Sequence, residues 1–207
     1  MEAVAESIKA HYDYFINICN KGIEQVAKAS ELFQSKNQID IDIYSNIVEY
    51  NFLTIFLSWE SFLENVFVLY LCGMPGLNGL SVNSYVVNID RGRAYKMLKG
   101  IKEFPDWTNT DFIATMAKTY FVNENPFAFL AGETVLIHNK KVRNRISHVS
   151  EKCKREFENI VLNYTGMPST TGSVSDFLLT YCEEFKSTYF LYFINKLKKY
   201  AELLCNP

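Results

Sequence analysis

The chain has 207 residues, 48% of them apolar and 15% aromatic, which is enough for one domain with a sizeable core and excludes a disordered or low-complexity protein. A formal charge of -2 and a pI near 6.0 exclude a generally basic, histone-like binder, but they leave room for a local basic patch. The five cysteines (Cys19, Cys72, Cys153, Cys182, Cys205) are odd in number, scattered and without a Cys-x-x-Cys pair. They read as free thiols in a reducing compartment, with no disulfide framework or zinc site.

The pattern is helical almost throughout. Met1 leads into Glu2, Glu6 and Lys9, which is not the start of a signal peptide, so a cytoplasmic protein is expected. Val4, Ile8, His11, Phe15, Cys19, Ile23, Val26, Ala29 and Phe33 recur at three- and four-residue steps and predict one long amphipathic helix. A polar turn from Ser35 to Asp42 joins it to a second helix, from about Tyr44 to Cys72, ended by Gly73 and Pro75. The two form an antiparallel hairpin. The most apolar stretch, Phe52 to Cys72, is interrupted by Glu60, Glu64 and Asn65, so it reads as a buried helix and no membrane span is expected.

From Gly73 to Glu124 the signal weakens. Met74 to Ser84 is loop-like, Tyr85-Val86-Val87 is a candidate short strand without an evident partner, and Arg91–Gly100 and Asn109–Phe121 read as short helices. This stretch is expected to be an insertion packed on the helical core. Asn125-Pro126 carries the residues of a helix start, Asn as N-cap and Pro at the first position. The helix it opens has Ala131, Val135, His138, Val142, Ile146 and Val149 on one face. Ser150 caps the next helix, which ends at Gly166. Ser173-x-x-Asp176 resembles a capping box and opens a last long helix to about Leu204. The expected fold is a single all-α domain over residues 1–207, a bundle with two long helical hairpins and a mixed insertion of short helices and loops at 73–124.

Chemistry concentrates at Arg143-Asn144-Arg145-Ile146-Ser147-His148. A permanent cation, an amide and an imidazole within two helical turns are the equipment for gripping a phosphodiester and moving a proton beside it. Asn144 and His148 are four apart and share a helix face, so the amide is placed to hold one imidazole nitrogen. Arg143 and His148 are five apart, roughly 140° around the axis. They reach one substrate atom only if the helix distorts, if Arg143 extends around it, or if a second copy of the motif arrives from a symmetric partner. Val142, Ile146 and Val149 are expected to anchor the segment in the core.

The surroundings are basic. Between Lys140 and Glu156, seven cations (Lys140, Lys141, Arg143, Arg145, Lys152, Lys154, Arg155) face Glu151 and Glu156, a local +5 that leaves -7 for the rest of a chain of net -2. A positive field in an acidic protein suits a polyanion. Two solvated helix ends explain it as well, because cations in a last turn favour the helix dipole.

Other candidates are weaker. Glu60 and Glu64 share a face of the second helix and read as solvated or ion-paired carboxylates, with Glu60 placed for a supporting role against Arg143. His138 and His11 read as hydrogen-bonded core histidines. Phe177, Tyr181, Phe185, Tyr189 and Tyr192 read as core or interface aromatics. With no phosphate-binding loop, dinucleotide glycine pattern, Gly-x-Ser-x-Gly or zinc motif, no cofactor and no metal are expected.

Arg143-Asn144-x-x-x-His148 resembles the signature of the HEPN superfamily, all-helical domains that include metal-independent ribonucleases. Ser58-Trp59-Glu60-Ser61-Phe62-Leu63-Glu64 and Asn125-Pro126-Phe127 look like the branch known as RiboL-PSP-HEPN. The resemblance covers the core helices and not Gly73 to Glu124. It implies a homodimer whose two motifs face each other, RNA as substrate, and attack of the ribose 2′-hydroxyl on the adjacent phosphate. In that chemistry His148 moves the proton, Arg143 holds the nonbridging oxygens, and Asn144 orients His148 or a phosphate. Lys140, Lys141 and Arg145 are the candidate strand-gripping residues by charge and proximity. A toxin or antiviral effector, restrained by an antitoxin or regulatory partner, is the expected role; the alternative is a non-catalytic module that binds RNA or a protein.

Overall fold

The computed structural model describes residues 7–35, 39–101, 105–168 and 173–207, and they are all-α apart from one two-stranded ribbon. The helices are α1 (Ile8–Gln34), α2 (Ile41–Leu71), α3 (Arg91–Ile101), α4 (Thr110–Tyr120), α5 (Thr134–Ser147), α6 (Glu151–Thr165), α7 (Val174–Leu179) and α8 (Tyr189–Cys205). Strands β1 (Tyr181–Cys182) and β2 (Ser187–Thr188) pair antiparallel between α7 and α8. The sequence places the first helix from Val4, which lies outside the described residues, as does part of the Ser35–Asp42 turn. By length and composition α2 is long and apolar enough to cross a membrane; 56% of its most apolar window is buried within the structure.

The chain divides into two compact units. The first takes the residues through Ile16, Ser58–Ile137 and Leu197–Pro207. Phe67 is its centre, with its ring 4.8 to 5.2 Å from those of Phe127, Phe121 and Trp107. Such offset and edge-to-face pairs add to the burial of the rings themselves. Tyr70 is fully buried and donates its hydroxyl to the Leu204 carbonyl at 2.7 Å, which satisfies a polar group that burial would otherwise penalise. The described residues of 73–124 lie in this unit. The expected strand at Tyr85–Val87 reduces to one bridge, Ser84 with Phe121, and the Tyr85 N–H donates to the Tyr120 carbonyl at 2.9 Å. The partner that the sequence did not reveal is the C-terminal end of α4.

The second unit takes Asn17–Leu57 and His138–Lys196. Here Phe33 stacks on Tyr44 at 5.1 Å, and a side chain at Gly22 would meet Ile55 Cδ1 at 2.7 Å. These contacts run α1 and α2 antiparallel, and the glycine lets the backbones approach where any larger residue collides. A second hairpin, α5–α6, is closed by only three residues, with His138 near the start of one helix against Tyr164 near the end of the other. The Tyr164 ring packs on Tyr189 and Phe193 at 5.3 and 5.5 Å, and Phe177 stacks on Tyr189 at 4.8 Å.

Two helix limits differ from the expectation. The helix expected from Asn125-Pro126 begins eight residues later, at Thr134. Asn123, Glu124 and Gly132 all take left-handed backbone (φ 55°, 60° and 66°), which an α-helix cannot contain, so Phe127 and Leu130 reach the core from short 3-10 turns. The last long helix from Ser173 is instead α7, a hairpin and α8. Ser173 does cap α7, accepting from the Asp176 N–H at 3.2 Å, but Thr180 is extended and Lys186 turns the chain at φ 49°. No glycine or proline marks that turn, so periodicity alone runs through it.

Candidate functional site

α5 ends where the chemistry begins. Val142 is fully buried and anchors the last turns, while Arg143, Asn144, Arg145 and Ile146 are half-buried and Ser147 and His148 exposed. The helix is regular to Ser147, and the His148 N–H still donates to the Asn144 carbonyl at 2.9 Å, which extends the ladder by one residue. Val149, expected in the core, is 96% exposed because it falls in the link between helices. Ser150 then caps α6 as expected, its hydroxyl accepting from the Cys153 N–H at 3.3 Å.

Within this segment Asn144 holds the arginine. Arg143 Nη1 donates to Asn144 Oδ1 at 3.1 Å, and the guanidinium carbon lies 6.0 Å from the centre of the Phe56 ring on α2. A guanidinium stacks on an aromatic face while its planar fork keeps donors for an amide or a phosphate. The expected Asn144–imidazole pairing is thereby replaced by an Asn144–Arg143 pairing, and His148 stands exposed one residue past the helix.

The neighbouring cations divide into two sets. Lys140, Lys141 and Arg145 are half-buried on α5. Arg145 lies in the field of Glu49 on α2, whose carboxylate accepts the Ser175 N–H at 3.2 Å. Burial pushes the Glu49 carboxyl up, and the Ser175 hydrogen bond and the Arg145 charge pull it back. Lys152, Lys154 and Arg155 are exposed in the first turns of α6. A helix N-terminus is already the positive end of its dipole, so these three add to that field and do not compensate it. Compensation of the dipole accounts for Arg145 in the last turn of α5, but not for them.

His138 is hydrogen-bonded as expected, though half-buried: its Nδ1 lies 3.2 Å from the Tyr164 hydroxyl, and burial, then the Lys141 charge, hold it below the ordinary 6.5. His11 departs from that expectation, because its buried Nε2 has no hydrogen-bond partner among the described residues; burial lowers it too. Glu60 is half-buried on the part of α2 that belongs to the first unit, whereas Arg143, Asn144 and His148 belong to the second. Of the five aromatics singled out, Phe177 and Tyr189 are core, Phe185 stacks on Tyr192 at 3.9 Å, and Tyr181 is exposed. All five cysteines are free; Cys19 and Cys205 are buried, and burial pushes the Cys205 thiol up to about 12. Among the described residues no three His, Cys, Asp or Glu side chains are grouped to hold a metal ion.

Two residues near the motif escaped the sequence reading. Glu49 sits beside the buried Val48 and Phe52, and a carboxylate at the edge of an apolar stripe was its only signal. Asn139, four residues before Arg143, is fully buried, and neither its amide oxygen nor its amide nitrogen has a hydrogen-bond partner among the described residues. Compared with known protein families, with curated proteins and with solved structures, the chain matches none.

Proposed function

We propose that the chain is a metal-independent endoribonuclease of the toxin or antiviral-effector kind, cytoplasmic, working as a homodimer and restrained by a cognate partner. One observation supports this most: a bonded Arg143–Asn144 pair, the exposed His148 and the exposed cations that open α6 follow one another within 13 residues. His148 takes the proton from a ribose 2′-hydroxyl, the oxygen attacks the adjacent phosphorus, and the 5′-oxygen leaves with a proton, giving a cyclic phosphate and a 5′-hydroxyl. Arg143 neutralises the charge that gathers on the nonbridging oxygens. The nucleophile belongs to the substrate, so the reaction needs no metal-bound water.

The test is cleavage of single-stranded RNA in EDTA by wild type, His148→Ala, Arg143→Ala and Arg143→Lys. Loss of cleavage in EDTA overturns the metal-free chemistry, and folded variants that cut normally overturn the site. A second reading, a non-catalytic module binding RNA or a protein, is favoured by Arg143 lying on Phe56 and Arg145 lying in the field of Glu49, since both cations then interact within their own chain. Salt-dependent RNA binding without cleavage is its signature.

A further inference from the structure

Within the second unit, α2 has two opposite faces. Val48, Phe52 and Ile55 are buried on one. The other carries Ile43, Tyr50 and Leu57, which are 48%, 66% and 47% exposed and recur at seven residues. Asn46, Ile47, Leu53 and Thr54 fill the same arc of roughly 120° at 100° per residue. No charged side chain falls in that arc along about 21 Å of helix. A helix face meant for water carries charges; an uncharged seam with a seven-residue apolar repeat is what another helix packs against. An open groove of about 640 Å³ flanks the seam, walled on the α1 side by Gln25, Lys28 and Leu32.

The order of residues says what covers the seam. Three positions either side of Tyr50 stand Ile47 and Leu53, both aliphatic. Four either side stand Asn46 and Thr54, both uncharged and polar. Seven either side stand Ile43 and Leu57, both aliphatic. A two-fold axis through Tyr50, perpendicular to the helix, lays every one of these on a mate of its own kind and Tyr50 on Tyr50. A contact between two copies of one surface demands such self-complementarity, whereas a foreign helix imposes no palindrome. Asn46 against Thr54 offers a polar pair that fixes the register.

We propose that this face is the contact between two copies of the chain, α2 packed antiparallel on α2 about Tyr50, with the α1 wall of the groove enlarging the contact toward the roughly 800 Å² per partner of a stable interface. The proposal stands on the seam and not on the ribonuclease reading, so a dimer that cuts no RNA leaves it intact and removes only that reading. The test is mass by light scattering and sedimentation over a concentration series, without RNA. Wild type is expected to be a dimer, and Tyr50→Glu, which keeps the helical circular dichroism, to weaken it by at least about 100-fold. Under mild oxidation, with wild type as the blank, Tyr50→Cys crosslinks to itself across the axis. Ile43→Cys alone does not, and the Ile43→Cys/Leu57→Cys pair does. A wild type that stays monomeric at about 100 μM overturns the proposal, as does a dimer indifferent to Tyr50→Glu with no crosslink at position 50. A monomer that binds neutral lipid vesicles through Tyr50 overturns it as well and gives the seam to a lipid surface.

Discussion

The last turn of α5 and the outer face of α2 depart from the usual protein surface in opposite senses. On α5, Arg143 and Arg145 are half-buried, one over the Phe56 ring and the other in the field of Glu49. On α2, Ile43, Tyr50 and Leu57 stand exposed in an arc of the helix that carries no charge. Long cationic side chains lay apolar stems along a core and keep donors for a second partner, so a half-buried arginine is held in place before any ligand arrives. An exposed apolar seam gains nothing until something covers it. The first region is held in place by its own chain, and the second leaves apolar surface uncovered.

Predictions on the α5 side are the larger. Phe56→Ala removes a buried ring from the second core and the surface under Arg143, with an expected cost of about 3–5 kcal/mol in urea unfolding. A loss near zero would mean that the arginine does not rest on that ring. His148→Ala is expected to lower RNA cleavage by at least about 100-fold and, because the imidazole is exposed, to leave stability within about 0.5 kcal/mol. Arg143→Ala loses rate and stability together. If the two variants lose stability equally, the imidazole is a structural group and the comparison between them fails.

Asn139→Leu replaces a buried amide that has no hydrogen-bond partner among the described residues by a side chain of similar size, and is expected to stabilise the chain by about 1 kcal/mol. Destabilisation by chemical unfolding would show that the amide is bonded, through water or otherwise. On the α2 side, Tyr50→Gln at a concentration low enough to hold a monomer should change stability by less than about 0.5 kcal/mol, since the ring is mostly exposed there.

The smallest effects lie in the pH dependence. Burial holds His138 below 6.5, so the unfolded chain binds more protons; its contribution is present above 6.5 and lost as pH falls below it. Glu49 is held above 4.5, so the folded chain binds more protons; its contribution is present below 4.5 and lost as pH rises through the raised value. His138→Gln should flatten part of the limb just under 6.5, where His11 acts in the same sense, and Glu49→Gln the slope just above 4.5. Unchanged slopes would show that neither group is desolvated as the fold implies.

Much of this was legible in the sequence. The all-α fold, the α1–α2 hairpin, the short helices at Arg91 and Asn109, and the caps at Ser150 and Ser173 follow from periodicity and from side chains that bond the nearest backbone amides, which are local free energies. The placing of Arg143, Asn144 and His148 at a helix end was legible for the same reason. The late start of α5 was not, because left-handed Asn123 and Glu124 are not glycines. Nor was the break at Lys186.

By itself the sequence determined the all-α character, most of the helices, the caps at Ser150 and Ser173, and the fall of the Arg143–His148 segment at a helix end. Only the tertiary structure decided the surroundings of particular side chains: Arg143 on the Phe56 ring, Arg145 in the field of Glu49, Asn139 in the core, and Tyr50 in solvent. The reason is physical. The signals of a helix, its periodicity and its caps, are read within a few turns of chain, whereas the surroundings of a long side chain are set by partners about a hundred residues away, which no local pattern encodes.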